Sequence, residues 1–409
     1  MRTAIVGGGA AGFFLAINLK EMQPGMEVTI FEKSKKVLTK VEISGGGRCN
    51  CTNNFADVSD LSAVYPRGHR LMKRLFKTFD YRDAYEWFER HGVRLTTQDD
   101  GCVFPASQDS HTIINCFLAE ARRHGVEIRT GFKIESLEQL KDFNYIAITT
   151  GGVTMGAGHS VTSATDVTEC PAPIVTPVPS LFTFKIDNPA LHCLMGTVVE
   201  EATAFMPGTN FRASGPLLIT HWGMSGPAIL RLSSYAARAL ADNSYQMPMT
   251  VNWTNRKEPE IANELRDIIG SHPQKQISTI RPFNLPGRLW NYLVEKTLGE
   301  RAMNRWQNLN QKEMNRLVNM LANDTYQIAG RAPFKDEFVT CGGIDLTTVN
   351  PVTLESKLRP HLYFAGEVLD IDGITGGFNF QAAWTTAYTV ASAIAKNTYF
   401  LATNKENKG

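Results

Sequence analysis

Three glycine clusters carry the chemistry this sequence advertises. The first, Gly7-Gly8-Gly9-Ala10-Ala11-Gly12, follows the apolar run Thr3-Ala4-Ile5-Val6 and matches G-x-G-x-x-G at Gly7, Gly9 and Gly12. In this pattern the first glycine permits a tight strand-to-helix turn. The second lets backbone approach a pyrophosphate, and the third lets helix pack close on strand. The phosphates then sit at the positive end of the helix that Ala10 and Ala11 open. Glu32, 20 residues beyond Gly12 at the end of the next strand, can accept hydrogen bonds from both ribose hydroxyls. It would repel a 2′-phosphate, so an adenosine without one is expected.

The second cluster, Gly373-Ile374-Thr375-Gly376-Gly377-Phe378-Asn379, follows the strand-like Leu362-Tyr363-Phe364-Ala365-Gly366-Glu367. It feeds a helix beginning near Phe380-Gln381, whose small face (Ala383, Ala387, Ala391) allows close packing. Backbone N–H groups there would point at the pyrimidine edge of a flavin ring, where the reduced form carries negative charge. The Gly366-Glu367 pair is placed as in many flavoproteins, near the ribityl chain. One ligand needing both loops would tie the chain ends into a single domain, and FAD has that length.

The third cluster is Ser44-Gly45-Gly46-Gly47-Arg48-Cys49-Asn50. Three adjacent glycines cost conformational entropy and gain little in a plain surface loop. A loop running against a cofactor does gain, and Arg48 could reach the pyrophosphate. Cys49 invites a redox proposal, but a small, partly buried thiol is the preferred reading. His221-Trp222-Gly223-Met224-Ser225-Gly226-Pro227 could line a substrate face with His221 as proton donor. A turn and helix start, with Ser225 near the N-cap and Pro227 at N1, is the favoured account. No catalytic acid or base is identified.

The elements that must position these residues read as α/β. Residues 3–6, 28–31, 126–130 and 145–149 are strand-like, the last stopped by Gly151-Gly152; 10–19, 69–91 and 111–124 are helical. Residues 153–182, rich in Gly, Ser, Thr and Pro, read as a linker out of the first domain. Short strands follow around 181–220 and 247–254, then a helix-rich block over 257–322. The expected organisation is a discontinuous Rossmann-like FAD-binding domain (1–180 and 335–400). A β-rich, barrel-like inserted domain (181–256 and 323–334) carries a helical insertion (257–322).

At 409 residues the chain exceeds one ordinary domain. Basic and acidic residues balance at 42 against 40, so nothing steers it toward nucleic acid or anionic lipid. The modest cluster Arg67, His69, Arg70, Lys73 and Arg74 reads as a solvated helix face. The seven cysteines form no CxxC pair, so no zinc site or redox disulfide is signalled, and reduced thiols in a cytoplasmic protein are expected. No apolar run approaches the ~18 residues of a membrane span. Oligomeric state has no signature here.

Taken together, the clusters resemble the bacterial BaiN/YhiN-type flavoproteins, NAD(P)/FAD-dependent oxidoreductases also called the aminoacetone oxidase family. The carrying residues are the 7–12 loop with Glu32-Lys33, the 44–50 loop with Thr52-Asn53, Thr220-His221-Trp222-Gly223-Met224-Ser225-Gly226-Pro227-Ala228, and 363–367 through 376–379. The resemblance implies FAD contacts at Ala11, Glu32, Lys33, Arg48, Cys49, Glu367, Phe378 and Asn379, with Ile134 meeting adenine through backbone; Gly47 and Gly151 are further candidate cofactor-binding residues. After Gly152 the sequence departs from the family's pattern, which leaves local contacts there open.

The expected function is FAD-dependent hydride transfer involving a small organic substrate. NAD(P)H docks transiently as donor, or the substrate reduces the flavin and oxygen reoxidises it. No second G-x-G-x-x-G with strand and acid marks a separate nicotinamide domain. Two rivals remain: a nicotinamide-dependent dehydrogenase and a flavin-binding protein without turnover.

Overall fold

A computed structural model describes residues 1–152, 172–332 and 339–406, with side chains to 399. Contacts divide the chain into two units: Met1–Pro179 with Val339–Gly409, and Ser180–Phe338.

The N-terminal part of the first unit runs β1 (Arg2–Val6), α1 (Ala10–Met22), β2 (Glu27–Glu32), α2 (Thr39–Gly47), β3 (Thr52–Asn53), α3 (His69–Leu75), α4 (Tyr81–Arg90), β4 (Leu95–Thr97), β5 (Cys102–Pro105), α5 (His111–Arg123), β6 (Glu127–Thr130), β7 (Tyr145–Ile148) and β8 (Ile174–Ser180). The inserted unit contains β9 (Phe184–Lys185), α6 (Pro189–His192), β10 (Val198–Phe205), β11 (Arg212–Ile219), β12 (Gly223–Ser225), α7 (Pro227–Tyr235), α8 (Ala237–Asp242) and β13 (Pro248–Asn252). Then come α9 (Glu258–Ser271), α10 (Gly287–Leu298), α11 (Gln311–Ala322), β14 (Asp324–Gln327) and β15 (Gly330–Arg331). The chain returns through β16 (Val339–Ile344), β17 (Leu362–Phe364) and α12 (Phe378–Glu406).

The first unit is built on a parallel five-stranded sheet, ordered β17-β7-β1-β2-β6. Strand β17 is therefore an integral member of the sheet begun at residue 2. Helix α1 is buried along its whole middle, from Ala11 to Leu19, as expected of a helix that is apolar all round. Phe14 sits among Trp87 (4.6 Å between ring centroids), Trp384 (5.1 Å) and Phe79 (5.5 Å). Each such buried side chain contributes about 1.5–3 kcal/mol. On α12, Ala383, Ala387 and Ala391 are buried, and this small face lets α12 pack closely on α1.

Several local expectations are corrected. The helical stretch over 69–91 is two helices. Asp80 ends the continuity because its carboxylate accepts from the backbone N–H groups of Arg82 and Asp83, capping α4. Of the presumed linker, 153–171 lies outside the described residues, but 174–180 is strand β8, paired with β16. Its prolines suit a strand that, among the described residues, pairs with a strand on one side only. Strands β3, β5 and β4 form an antiparallel sheet not anticipated from the sequence.

The inserted unit is a seven-stranded antiparallel sheet ordered β14-β13-β10-β11-β12-β9-β15, and its single core also takes in α9, α10 and α11. Gly226, not Ser225, is the N-cap of α7, with proline opening the helix; the Ser225 hydroxyl instead accepts from Thr183. His221 is exposed in the turn between β11 and β12. Among the described residues, no helix is long and apolar enough to cross a membrane.

Candidate functional site

The sheet's parallel strands aim their carboxyl ends at one edge, where open α/β sheets bind ligands. Gly7 follows β1, Glu32 ends β2, Ile134 lies past β6, Gly151 past β7, and Gly366 past β17. Five positions chosen from sequence thus belong to one line of strand ends.

The 7–12 turn divides its glycines into two kinds. Gly7 has φ +118°, and a Cβ there would lie 2.4 Å from the Thr149 carbonyl oxygen. A Cβ on Gly12 would lie 2.0 Å from the Gly7 carbonyl oxygen. Both are packing glycines, and the Thr149 hydroxyl ties them down by donating to the Val6 and Gly7 carbonyls. Gly9 differs: a Cβ there would meet nothing within 4 Å. Its backbone borders open space at the start of α1, where N–H groups face outward without partners within the helix.

Glu32 is held by the turn itself. Its carboxylate accepts from Gly8 N at 2.8 Å and Ser34 N at 2.8 Å. Two donors fix its orientation, and a carboxylate retains further lone pairs for hydroxyls. Lys33 is exposed, and Ile134 is buried four residues past the end of β6.

In the 44–50 segment the backbone leaves α2 through consecutive left-handed residues: Gly45 (φ +57°), Gly46 (+69°) and Gly47 (+83°). Cβ atoms on Gly46 or Gly47 would meet nothing within 4 Å. Arg48 stacks over Phe104, 4.3 Å from the ring centroid, and donates to the Gly45 carbonyl. Cys49 is fully buried at φ +60°, its carbonyl accepting from the Cys51 thiol.

The 373–379 loop is stitched to this segment. Asn53 donates to the Gly376 carbonyl (3.0 Å), Thr52 donates to Gln381 (2.6 Å), and Trp384 donates to the Cys51 carbonyl (2.8 Å). Gly377, at φ +87°, runs so close to Thr52 that a Cβ would lie 2.2 Å from its carbonyl oxygen. Asn379 closes the loop on itself, exchanging hydrogen bonds with both backbone groups of Gly373. Phe378 is buried against Phe55 and Tyr65. Both side chains thus shape the loop from behind, and its backbone is what remains to meet a ligand.

Two partnerships were missed by sequence reasoning. Lys40 pairs with Glu367 at 2.7 Å, and Thr340 N donates to the other carboxylate oxygen at 2.9 Å. Burial opposes ionisation of Glu367, but Lys40 and the Thr340 and Gly152 N–H groups outweigh it and hold the carboxyl below its ordinary range. Arg67 and Asp372 form a buried bidentate ion pair directly before Gly373, the Nε donating at 2.6 Å. Neither pair obeys a local spacing rule, so only the fold reveals them.

This arrangement fits a dinucleotide. It offers an anchored acid for the ribose, an open glycine at a helix start for phosphates, and a second glycine-rich turn at another helix start. Fold and site define an oxidoreductase of the Rossmann flavoprotein class. The chain belongs to the family described as HI0933-like protein Rossmann domain, whose pattern matches residues 1–393. It is 28% identical over 403 residues to an Escherichia coli (strain K12) protein named ribosomal RNA dihydrouridine synthase, covering 95% of this chain and 96% of that one. It is 27% identical over 421 residues to a Clostridium scindens protein named 3-dehydro-bile acid delta(4,6)-reductase, covering 97% and 99%. Its fold is similar to that of 3-ketosteroid delta1-dehydrogenase from Sterolibacterium denitrificans, with a TM-score of 0.51 at 10% identity over 97% and 99% of the two chains.

Proposed function

We propose that the chain holds FAD along the carboxyl ends of β2, β1, β7 and β17 and uses it to reduce a carbon–carbon double bond conjugated to a carbonyl. The adenosine ribose would bind Glu32, with Ile134 and Lys33 beside the adenine end. Gly9, Ala10, Ala11, Gly47 and Arg48 would surround the pyrophosphate, Arg48 after turning from Phe104. Gly151, Gly366 and Glu367 would flank the ribityl chain, and the backbone of Gly377, Phe378 and Asn379 would face the ring. The observation carrying this reading is the open face of Gly9 between two closed packing glycines.

Bound FAD would supply the hydride chemistry; the chain's residues bind, orient and exclude water. The Lys40–Glu367 pair keeps a carboxylate ionised and fixed where ribityl hydroxyls need an acceptor. The Gly377 turn and the start of α12 present N–H groups that stabilise negative charge on a bound ring.

The substrate class rests on the names of two relatives. Reducing a uridine to dihydrouridine and reducing a delta(4,6) bond of a 3-dehydro bile acid both add hydride and a proton across a double bond conjugated to a carbonyl. NAD(P)H docking transiently is the proposed electron donor. The near-neutral charge balance favours a free small molecule. A uracil within ribosomal RNA is the second reading, favoured by the E. coli relative and the exposed Arg70, Lys73, Arg74 and Lys77.

An anaerobic absorbance titration tests all of this. The purified protein should be yellow, bleach with NADH or NADPH, and recover its colour on adding an enone or a uridine-containing RNA. Colourless protein after reconstitution with FAD, or yellow protein that no donor bleaches, would defeat the proposal.

A further inference from the structure

His91 is the C-cap of α4 and stands where the C-terminal ends of α1, α4 and α5 meet, at the far end of α1 from the glycine turn. Its side chain is 6% exposed. Nδ1 lies 2.6 Å from the Trp87 carbonyl oxygen, and Nε2 lies 2.9 Å from Glu21 Oε1. A carbonyl oxygen and a carboxylate only accept. Both ring nitrogens therefore donate, and a histidine with two N–H groups is an imidazolium.

The surroundings favour that charge. The ring stacks on the Trp87 indole with centroids 3.9 Å apart, an electron-rich face for a cation. It also sits at the negative end of α4. Glu21 and Glu120 lie in the last turns of α1 and α5, where helix dipoles disfavour carboxylates, so a cation between them offsets that cost. Glu120 Oε2 lies 4.0 Å from His91 Nε2. Burial opposes the charge on His91, but its hydrogen bonds to Glu21 and Trp87 outweigh burial and raise its pKa. The same bond to His91 is the main reason the Glu21 carboxyl is held below its ordinary range.

We propose that His91 is a proton-operated latch: protonated, it clamps the C-terminal ends of α1, α4 and α5 through Glu21, Trp87 and Glu120. Loss of the proton leaves one acceptor facing a nitrogen lone pair, which loosens the three helix ends. The folded protein holds this proton more tightly than the unfolded chain. The latch is therefore fully closed below the ordinary histidine value of about 6.5 and is lost as pH rises through the raised folded value. Other nearby groups keep that sign. Arg90 acts on Glu21 and Arg123 pairs with Glu120 at 3.3 Å, and both guanidiniums stay charged. Cys116 donates to the His91 carbonyl and stays neutral, its thiol pushed up to about 12 by burial and Glu120. Lys20 is turned to the Pro24 and Met26 carbonyls. His124, 3.8 and 3.5 Å from Glu21 and Glu120, is the second group to be separated by experiment.

Urea unfolding of the full chain from about pH 5.5 to 9, with amide hydrogen exchange over the same range, tests the latch. The folding constant of wild type relative to His91→Gln should be level below about pH 6.5. It should then fall by up to about tenfold per pH unit until the raised value is passed. His124→Gln should keep this fall, and Glu21→Gln, which keeps an acceptor but no charge, should lessen it. Corrected for intrinsic rates, exchange should quicken at 19–22, 88–92 and 120–125 as pH rises, which is local opening rather than global unfolding. If His91→Gln does not fold, the ratio of wild type to Glu21→Gln gives the same reading. A ratio that stays level from about pH 6.5 to 9, one that rises with pH, or a fall that His124→Gln abolishes would overturn the proposal.

Discussion

Gly366 packs against Ala11 so tightly that a Cβ on it would lie 2.8 Å from the Ala11 Cβ. This contact joins the first helix of the chain to the end of its last strand. Gly366 also has φ +78°, and its N–H donates to the Thr386 hydroxyl at 2.9 Å.

Gly366→Ala should therefore be destabilising on two counts. An alanine there costs about 1–3 kcal/mol for the left-handed backbone alone, before the clash with Ala11. The expected result is a clear fall in denaturant midpoint together with weakened FAD retention. Chemical denaturation monitored by far-UV circular dichroism and flavin fluorescence reads both.

The two kinds of glycine in the first turn make a sharper contrast. Gly9 has φ −93°, which any residue adopts, and open space beside it. Gly9→Ala should leave the fold and melting temperature of the apo protein nearly unchanged while emptying it of FAD. Gly12→Ala drives a methyl into the Gly7 carbonyl and should cost several kcal/mol, yielding poorly folded protein. If Gly9→Ala retains stoichiometric FAD, the pyrophosphate assignment fails.

That contrast marks what the sequence makes legible. Glycine spacing after an apolar strand encodes a local geometry, so the 7–12, 44–50 and 373–379 turns are found without a structure. Side-chain direction is set by tertiary packing, so it cannot be read the same way. Arg48 turns onto Phe104, Phe378 and Asn379 face the back of their own loop, and Lys40 finds Glu367 across 327 positions. Residues 174–180 look like linker by their prolines, yet pair with a strand that arrives more than 150 residues later.

The Arg67–Asp372 pair holds the start of the second glycine turn. Asp372 is fully buried, so Asp372→Ala would leave the largely buried Arg67 guanidinium short of its carboxylate. Breaking a buried pair by removing one partner costs about 3–5 kcal/mol. By comparison, Arg82→Ala, which removes the exposed partner of the Arg82–Asp80 pair, should change stability by under about 1 kcal/mol. Urea midpoints of the two variants, measured side by side, check the ranking. Equal effects would mean that the buried pair does not anchor the turn.

Glu367 sets a pH dependence whose sign follows from its environment. Its folded-state pKa is lowered, so its ionised form is the one the native structure favours. The resulting stabilisation is fully present above its unfolded value of about 4.3 and is lost as pH falls through the lower folded value. Glu367→Gln keeps an acceptor for Thr340 N but loses the charge that Lys40 meets. Because Lys40 is nearly half exposed, the charge contribution is of order 1 kcal/mol. The stability difference between wild type and Glu367→Gln should be constant from pH 7 to about pH 5 and shrink toward zero below about pH 4. Urea titrations of both proteins across that range measure it. A difference that instead grew on acidification would mean the carboxyl is protonated in the native fold and Lys40 plays no part in holding it.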